Sequence, residues 1–135
     1  LVIAIAPDLP PLQLDSMRFP WVITNLVSNA IRHTRAGGQV ELAVEKKDGW
    51  VHFSCRDNGC GIEPHNLPRI FERYTQFSER EKLGTVGLGL AIVKEVIEHH
   101  GGDITAESSP GQGTVFTFWI PDSGEESHAA RPDHR

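Results

Sequence analysis

Residues 40–57 read VELAVEKKDGWVHFSCRD, and this stretch decides the architecture. Val40, Leu42 and Val44 alternate with polar residues, the period of a half-buried strand. Asp48-Gly49 is a hairpin signal. Val51, Phe53 and Cys55 then share one face of a returning strand, and Asp57 falls in the same inward alternation. A carboxylate on a core face is costly unless something satisfies it. The segment Asn58-Gly59-Cys60-Gly61-Ile62 follows it. Two readings stay open: a turn that closes the strand, or a buried acid that accepts hydrogen bonds from a flat amino-bearing ligand such as adenine.

Upstream, Val2 to Ala6 reads as a short strand ended by Pro7 and Pro10-Pro11. A helix capped by Asp15 or Ser16 is expected to run to about Thr34, with a turn over residues 35–38. Downstream, residues 57–86 form a long loop region with one helical turn around Asn66 to Phe71, and loops of that length are usually functional. A helix is expected from about Gly87 to His100, stopped by Gly101-Gly102. Strands at Ile104–Ala106 and Val115–Ile120 flank a turn over Ser109 to Gly113. Mostly hairpin-linked strands with two helices point to an α+β domain, one sheet with helices on one face. Residues 1–121 make the domain, and residues 122–135 read as a disordered tail.

The 135 residues suffice for one domain, and 39% hydrophobic content suffices for its core. A net charge of −5 argues against binding nucleic acid through overall charge. No apolar run approaches the roughly 20 residues of a membrane span, and no secretory signal opens the chain. The chain begins with Leu1, as expected of a piece of a longer protein. Cys55 and Cys60 cannot build a disulfide framework and suit reduced thiols in a cytosolic domain, Cys60 as a small buried one.

On the first helix, Val22, Ile23, Leu26, Val27, Ala30 and Ile31 fall within one half of the wheel and are the expected core stripe. Asn25, Asn29, Arg32 and His33 form an arc beside it. A solvated polar face would explain any one of them. Two Asn one turn apart are odd, because Asn is a poor helix former. An Asn carbonyl suits Mg²⁺, and Arg32 could hold a phosphate oxygen beside it. Gly84-Thr85-Val86-Gly87-Leu88-Gly89-Leu90 opens the second helix, as a phosphate cradle or as a plain hinge. It is neither a P-loop nor a dinucleotide fingerprint.

Together these segments resemble the catalytic ATP-binding domain of bacterial sensor histidine kinases, within the Bergerat-fold (GHKL) ATPases. Asn25 to Thr34 matches the N box, Asp57 to Ile62 the first glycine box, and Ile70 to Tyr74 the F box. Gly87 to Val93 matches the second glycine box, and Gly111 to Thr114 the last. Five motifs in order cover nearly the whole chain, from Asp15 to Pro121. The resemblance implies a two-layer α/β sandwich with a mixed, largely antiparallel sheet of about five strands. It also implies ATP and Mg²⁺ as ligands.

By resemblance, Asn29 binds Mg²⁺ and Asn25 supports the metal and phosphates. Arg32 and His33 stand where the family uses Lys and Tyr near phosphate. Asp57 would accept from the adenine amino group, with Gly59, Gly61 and Ile62 around the base and Thr114 holding adenine through water. Gly87, Leu88, Gly89 and Leu90 would lie along the phosphates. Arg73 resembles the arginine that approaches the γ-phosphate, and Tyr74 after it would also belong to the ATP site. Residues 74–86 would be the ATP lid, with Arg80 and Lys82 as local positive charge, so a negative net charge does not exclude an anionic ligand. Thr85-Val86 departs from the family's usual Gly-Thr, and Trp21 replaces a common Gln or charged residue.

Related hydrolases carry a Glu at the position of Asn25. An amide is no general base near neutral pH, so the resemblance favours a kinase over a hydrolase. No His of the chain sits in an acceptor motif of the family's kind, so the phosphoryl acceptor is expected on a separate dimerisation domain. From there the group would pass to a response-regulator receiver Asp. The full protein would be a membrane-anchored homodimer of the bacterial inner membrane, with this domain cytoplasmic. The competing readings are an anti-sigma-type serine kinase, opposed by the F box, and a non-catalytic nucleotide-binding or degenerate signalling module.

Overall fold

The computed structural model describes residues 1–7, 9, 12–34, 37–72 and 86–121, with residues 86–88 described as backbone alone. Residues 8, 10, 11, 35 and 36, the segment 73–85, which holds most of the expected lid, and residues 122–135, the expected tail, lie outside the described residues. Five strands form one sheet: β1 (Val2–Ile5), β2 (Val40–Lys47), β3 (Trp50–Asp57), β4 (Asp103–Ser109) and β5 (Gly113–Pro121). Their spatial order is β1-β2-β3-β5-β4. Only β1 and β2 are parallel, and the chain between them contains helix α1 (Arg18–Arg32), the crossover that a parallel pair requires. The other three pairings are antiparallel, and α1 and α2 (Val86–His99) pack on each other and on the sheet.

The hairpin forms where the sequence puts it. Asp48 and Gly49 both take positive φ, 51° and 82°, the signature of a type I′ turn. β3 is the central strand, with Val51, Phe53 and Cys55 in the core and Asp57 on the same face at its end. Phe53 stacks on Phe118 of β5 at 4.6 Å and 6° between planes, and Phe19 of α1 meets both rings edge-on.

The α1 stripe is rotated from its expected position. Phe19, Val22, Leu26 and Ala30 are buried, but Ile31 is 55% exposed while Asn29 is only 6% exposed. At 100° per residue Asn29 lies about 60° from Leu26, the stripe's centre, and Ile31 about 140°. Phe19, one turn before Val22, pulls the stripe towards itself. The cap position is Met17, neither Asp15 nor Ser16, and Asp15 serves the helix start from upstream: its Oδ1 accepts the backbone N–H groups of Met17 and Arg18 at 2.9 and 2.8 Å. The same residue's N–H donates to Nε2 of His100, just past α2, and His100 Nδ1–H donates to the Val96 carbonyl. The two helices are thereby joined at one end. Trp21 is partly exposed beside Met17, Ile92 and Val96 in a shallow groove of about 490 Å³ between the helices.

The two thiols differ sharply. Cys55 is buried, and burial followed by the charge of Asp57 pushes its thiol up to about 11. Cys60 is exposed, against the expectation of a buried thiol, because its turn runs along the surface between α1 and the β4–β5 turn. At pH 8 a maleimide is expected to label Cys60 in the native chain and Cys55 only after unfolding, read by mass spectrometry. Phe118→Ala empties the centre of the aromatic cluster, and about 3–5 kcal/mol of stability should be lost in denaturant titration. The cap hydrogen bonds hold the Asp15 carboxyl below its ordinary 3.8. Its contribution is therefore complete above that value and disappears as pH falls through the lowered one. Asp15→Ala should lower the melting temperature at pH 7, with the gap closing in strong acid.

Candidate functional site

The site residues collect where α1 ends, β3 ends and the β4–β5 turn begins. Asp57 closes β3, only 5% exposed, with its side chain on the helix side of the sheet. Its Oδ1 accepts the Gly59 N–H at 2.8 Å. The second oxygen of the carboxylate can serve a further donor. Thr114 of β5 is the cross-strand partner of Asp57 and is also buried.

Ser108 of β4, which the sequence reading passed over, organises this end of the sheet. Its hydroxyl accepts the Ile62 N–H at 2.8 Å, donates to the Gly113 carbonyl at 2.8 Å, and lies 2.9 Å from Thr114 Oγ1. With that proton given to Gly113, the Thr114 hydroxyl donates to Ser108. The Thr114 oxygen keeps its acceptor side for another group. The one sequence signal for Ser108 is its place next to the turn, two strands from Asp57.

Two glycines of the turn are required by the protein's own backbone. A Cβ on Gly59 would lie 2.0 Å from the His33 carbonyl oxygen. One on Gly61, at φ +77°, would lie 2.1 Å from the Ser109 carbonyl oxygen. The turn is stitched on both sides: Cys60 N–H donates to His33 O at 3.1 Å, and Gly111 N–H donates to Cys60 O at 2.8 Å. Asn58 adds a third seam, its Oδ1 accepting the Gln39 N–H at 2.8 Å.

Along α1 the expected arc is present. Asn29 Oδ1 accepts from Arg32 Nη2 at 3.2 Å, so the amide and the guanidinium meet. Asn25 turns its amide nitrogen to the Trp21 carbonyl at 3.3 Å, and its Oδ1 lies where a Cβ on Gly89 would fall within 2.9 Å. The N-box face of α1 and the glycine-rich start of α2 are therefore in close approach. Leu90 is buried in the core rather than lining a cleft. Gly87 and Leu88 belong to the first turn of α2. Arg73, Tyr74, Arg80, Lys82 and Thr85 lie outside the described residues.

A cavity of about 450 Å³ also touches Asp57, Asn58 and Thr114. Its walls include Glu41, Arg56, Val115 and Glu107, which form one cross-strand row, offset by one residue from the Asp57 side chain. Such a row points away from the helices. The cavity thus reaches the strand ends from the helix-free face and is separate from the Asn29–Asp57 side.

Residues 14–124 match the family described as histidine kinase-, DNA gyrase B-, and HSP90-like ATPase. The chain is 40% identical over 121 residues to the alginate biosynthesis sensor protein KinB of Pseudomonas aeruginosa, covering 90% of this chain and 20% of KinB. It is 35% identical over 118 residues to the sensor histidine kinase WalK of Bacillus subtilis, covering 84% of this chain and 19% of WalK. It spans about one fifth of these relatives. Among solved structures, the catalytic domain of histidine kinase ThkA superposes with a TM-score of 0.78 at 28% identity, over 90% of this chain and 77% of that one. The mycobacterial sensor histidine kinase MprB gives 0.75 at 28% identity, over 89% and 81%. The chain belongs to the histidine kinase-, DNA gyrase B- and HSP90-like ATPases, as a catalytic domain of the sensor histidine kinase type.

Proposed function

We propose that the domain binds ATP with Mg²⁺ and donates the γ-phosphoryl group to a histidine on a separate dimerisation domain, for onward transfer to a response-regulator Asp. The observation that carries this reading is a buried Asp57 in register with Thr114, beside a turn whose Cys60 N–H bonds to His33 at the end of α1, the helix that carries the Asn29–Arg32 contact. One end offers a fixed carboxylate acceptor beside a hydroxyl, which suits the amino group and ring nitrogen of adenine. The other offers an amide oxygen and a guanidinium, which suit a metal and phosphate oxygens.

The donor set fits Mg²⁺. The ion usually keeps waters and phosphate oxygens and takes one or two protein ligands. Asn29 Oδ1 is such a hard oxygen, and its present partner is itself a cation. Arg32 can pass from the amide to a phosphate without leaving the site. When bound, the ion neutralises charge developing on the transferred group. The chain's own part is to orient and shield: Asp57 fixes the base, Asn29 and Asn25 line the phosphate end, and Arg73 is assigned to the γ-phosphate. Asn25 offers no base to activate water, so the phosphoryl group is kept for an imidazole that brings its own nucleophilic nitrogen. The dimerisation domain, the receiver domain, a membrane anchor and a cytoplasmic location belong to this proposal.

Calorimetric titration with a non-hydrolysable ATP analogue tests it. Asp57→Asn swaps an acceptor oxygen for an amide donor and should weaken binding by at least about tenfold, the worth of a hydrogen bond to a charged group. The circular dichroism spectrum should stay unchanged. Asn29→Ala should instead remove the Mg²⁺ dependence of binding. Absence of analogue binding by the folded wild-type domain at millimolar concentration would overturn the reading in favour of a degenerate signalling module.

A further inference from the structure

Asp57, Thr114 and Ser108 stand in one row across three strands. Asp57 is in register with Thr114, and Thr114 with Ser108. Residues of one such row share a face of the sheet, here the face that carries the helices. Ser108 belongs to none of the motifs named above, yet its hydroxyl decides what the other two side chains offer a ligand.

A serine hydroxyl has one proton and two lone pairs. In Ser108 all three are taken. The proton goes to the Gly113 carbonyl at 2.8 Å, because a carbonyl only accepts. One lone pair takes the Ile62 N–H at 2.8 Å, because an amide N–H only donates. Both partners are backbone groups, so neither can reverse its role. The remaining lone pair faces Thr114 Oγ1 at 2.9 Å, and the Thr114 proton is spent there. Thr114 is buried, so that proton has no bulk water to turn to. Thr114 consequently offers lone pairs alone.

Beside it, Asp57 Oδ1 accepts the Gly59 N–H, and the second carboxylate oxygen is an acceptor too. The row thus sets two acceptors side by side. The two N–H bonds of an amino group diverge by about 120°, so the acceptors that take them stand about 5 Å apart. Cross-strand neighbours have about that spacing. A 6-amino purine satisfies both acceptors, and a water that donates to each can still link Thr114 to the ring nitrogen. A 6-oxo purine sets a third acceptor against the pair, which leaves polar groups unpaired. A plain tie between β4 and the turn after β3 needs only the Ile62 contact and has no bearing on the base.

We propose that Ser108 is a positioning residue for base selection: by taking the Thr114 proton it fixes Thr114 as an acceptor, so that Asp57 and Thr114 together admit a 6-amino purine and refuse a 6-oxo purine. This rests on the proposed function and deepens it. Asp57 holds the base, and Ser108 acts on it only through Thr114.

Calorimetric titration of the 135-residue chain with ADP and with IDP, which differ at the C6 edge of the purine, tests this. Wild type should prefer ADP by at least about tenfold, the worth of a hydrogen bond to a charged group. Ser108→Ala frees the Thr114 proton for a 6-oxo group. The preference should then fall about fivefold, the worth of a neutral hydrogen bond, and return in Ser108→Thr, which keeps the hydroxyl. On a Thr114→Val background, Ser108→Ala should leave the preference within about twofold, because the hydroxyl it would release is gone. Where circular dichroism shows Ser108→Ala unfolded, Ser108→Cys makes the same comparison, since a thiol keeps the bulk and weakens the hydrogen bonds. An unchanged preference with equal loss of both nucleotides marks a strand tie alone and overturns the proposal. So does a wild type without preference, a fall that persists on the Thr114→Val background, or one that Ser108→Thr does not reverse. A wild type that binds neither nucleotide overturns the proposed function first, and this inference with it.

Discussion

The seam between the turn after β3 and its two neighbours governs this structure. Residues 58–61 hydrogen-bond to the end of α1 through His33 and to the β4–β5 turn through Gly111, with Gly59 and Gly61 pressed against carbonyl oxygens on either side. Those contacts are backbone to backbone, so they admit no rotamer adjustment. Displacing one side shifts Asp57 against Thr114 and α1 against the sheet together. Asp57 is reached from this seam in one hydrogen bond, and Thr114 by one register step more. A carboxylate in such a place is tolerated because it accepts an N–H from the turn it introduces.

α1 carries two burdens along one helix. Phe19, Val22, Leu26 and Ala30 form its core stripe, while Asn29, as deeply buried as they are, sits at the stripe's edge with its oxygen on Arg32. Asn costs helix stability relative to an ordinary helix former, a few tenths of a kcal/mol. A buried amide adds a need for partners. The aromatic cluster of Phe19, Phe53 and Phe118 supplies the packing that tolerates both. Fold and candidate site thus share a helix, and the apolar side stabilises what the polar side requires.

What the sequence showed, and what it hid, follows from the range of each interaction. The 40–57 hairpin was legible because period-two alternation and Asp48-Gly49 are local signals. The N-box arc was legible because helical spacing is local too. Ile31 was misplaced because two apolar residues at the stripe's margins compete, and Phe19, one turn upstream, decides between them. Cys60 was expected inside because no cation or helix start beside it marks a reactive thiol, but its turn lies on the surface. Ser108 was invisible as a partner, since it lies 46 residues from Ile62. No period relates residues that meet only through the order β3-β5-β4.

The same order separates a stiff end of the cleft from an adjustable one. At the base end, Asp57, Thr114, Ser108 and Ile62 are held by strand register and by hydrogen bonds under 3 Å. On α1 the contact is made by a long side chain, Arg32 on Asn29. Long cationic side chains lose more entropy when fixed but can change partners at little enthalpic cost, because each keeps several donors. On the proposed reading the asymmetry matches the ligand. The purine is the same before and after transfer, so its end can be rigid. The phosphates lose a group and a charge, so a cation that can be re-partnered, Arg32, on a frame that cannot move, meets the changing part of the ligand.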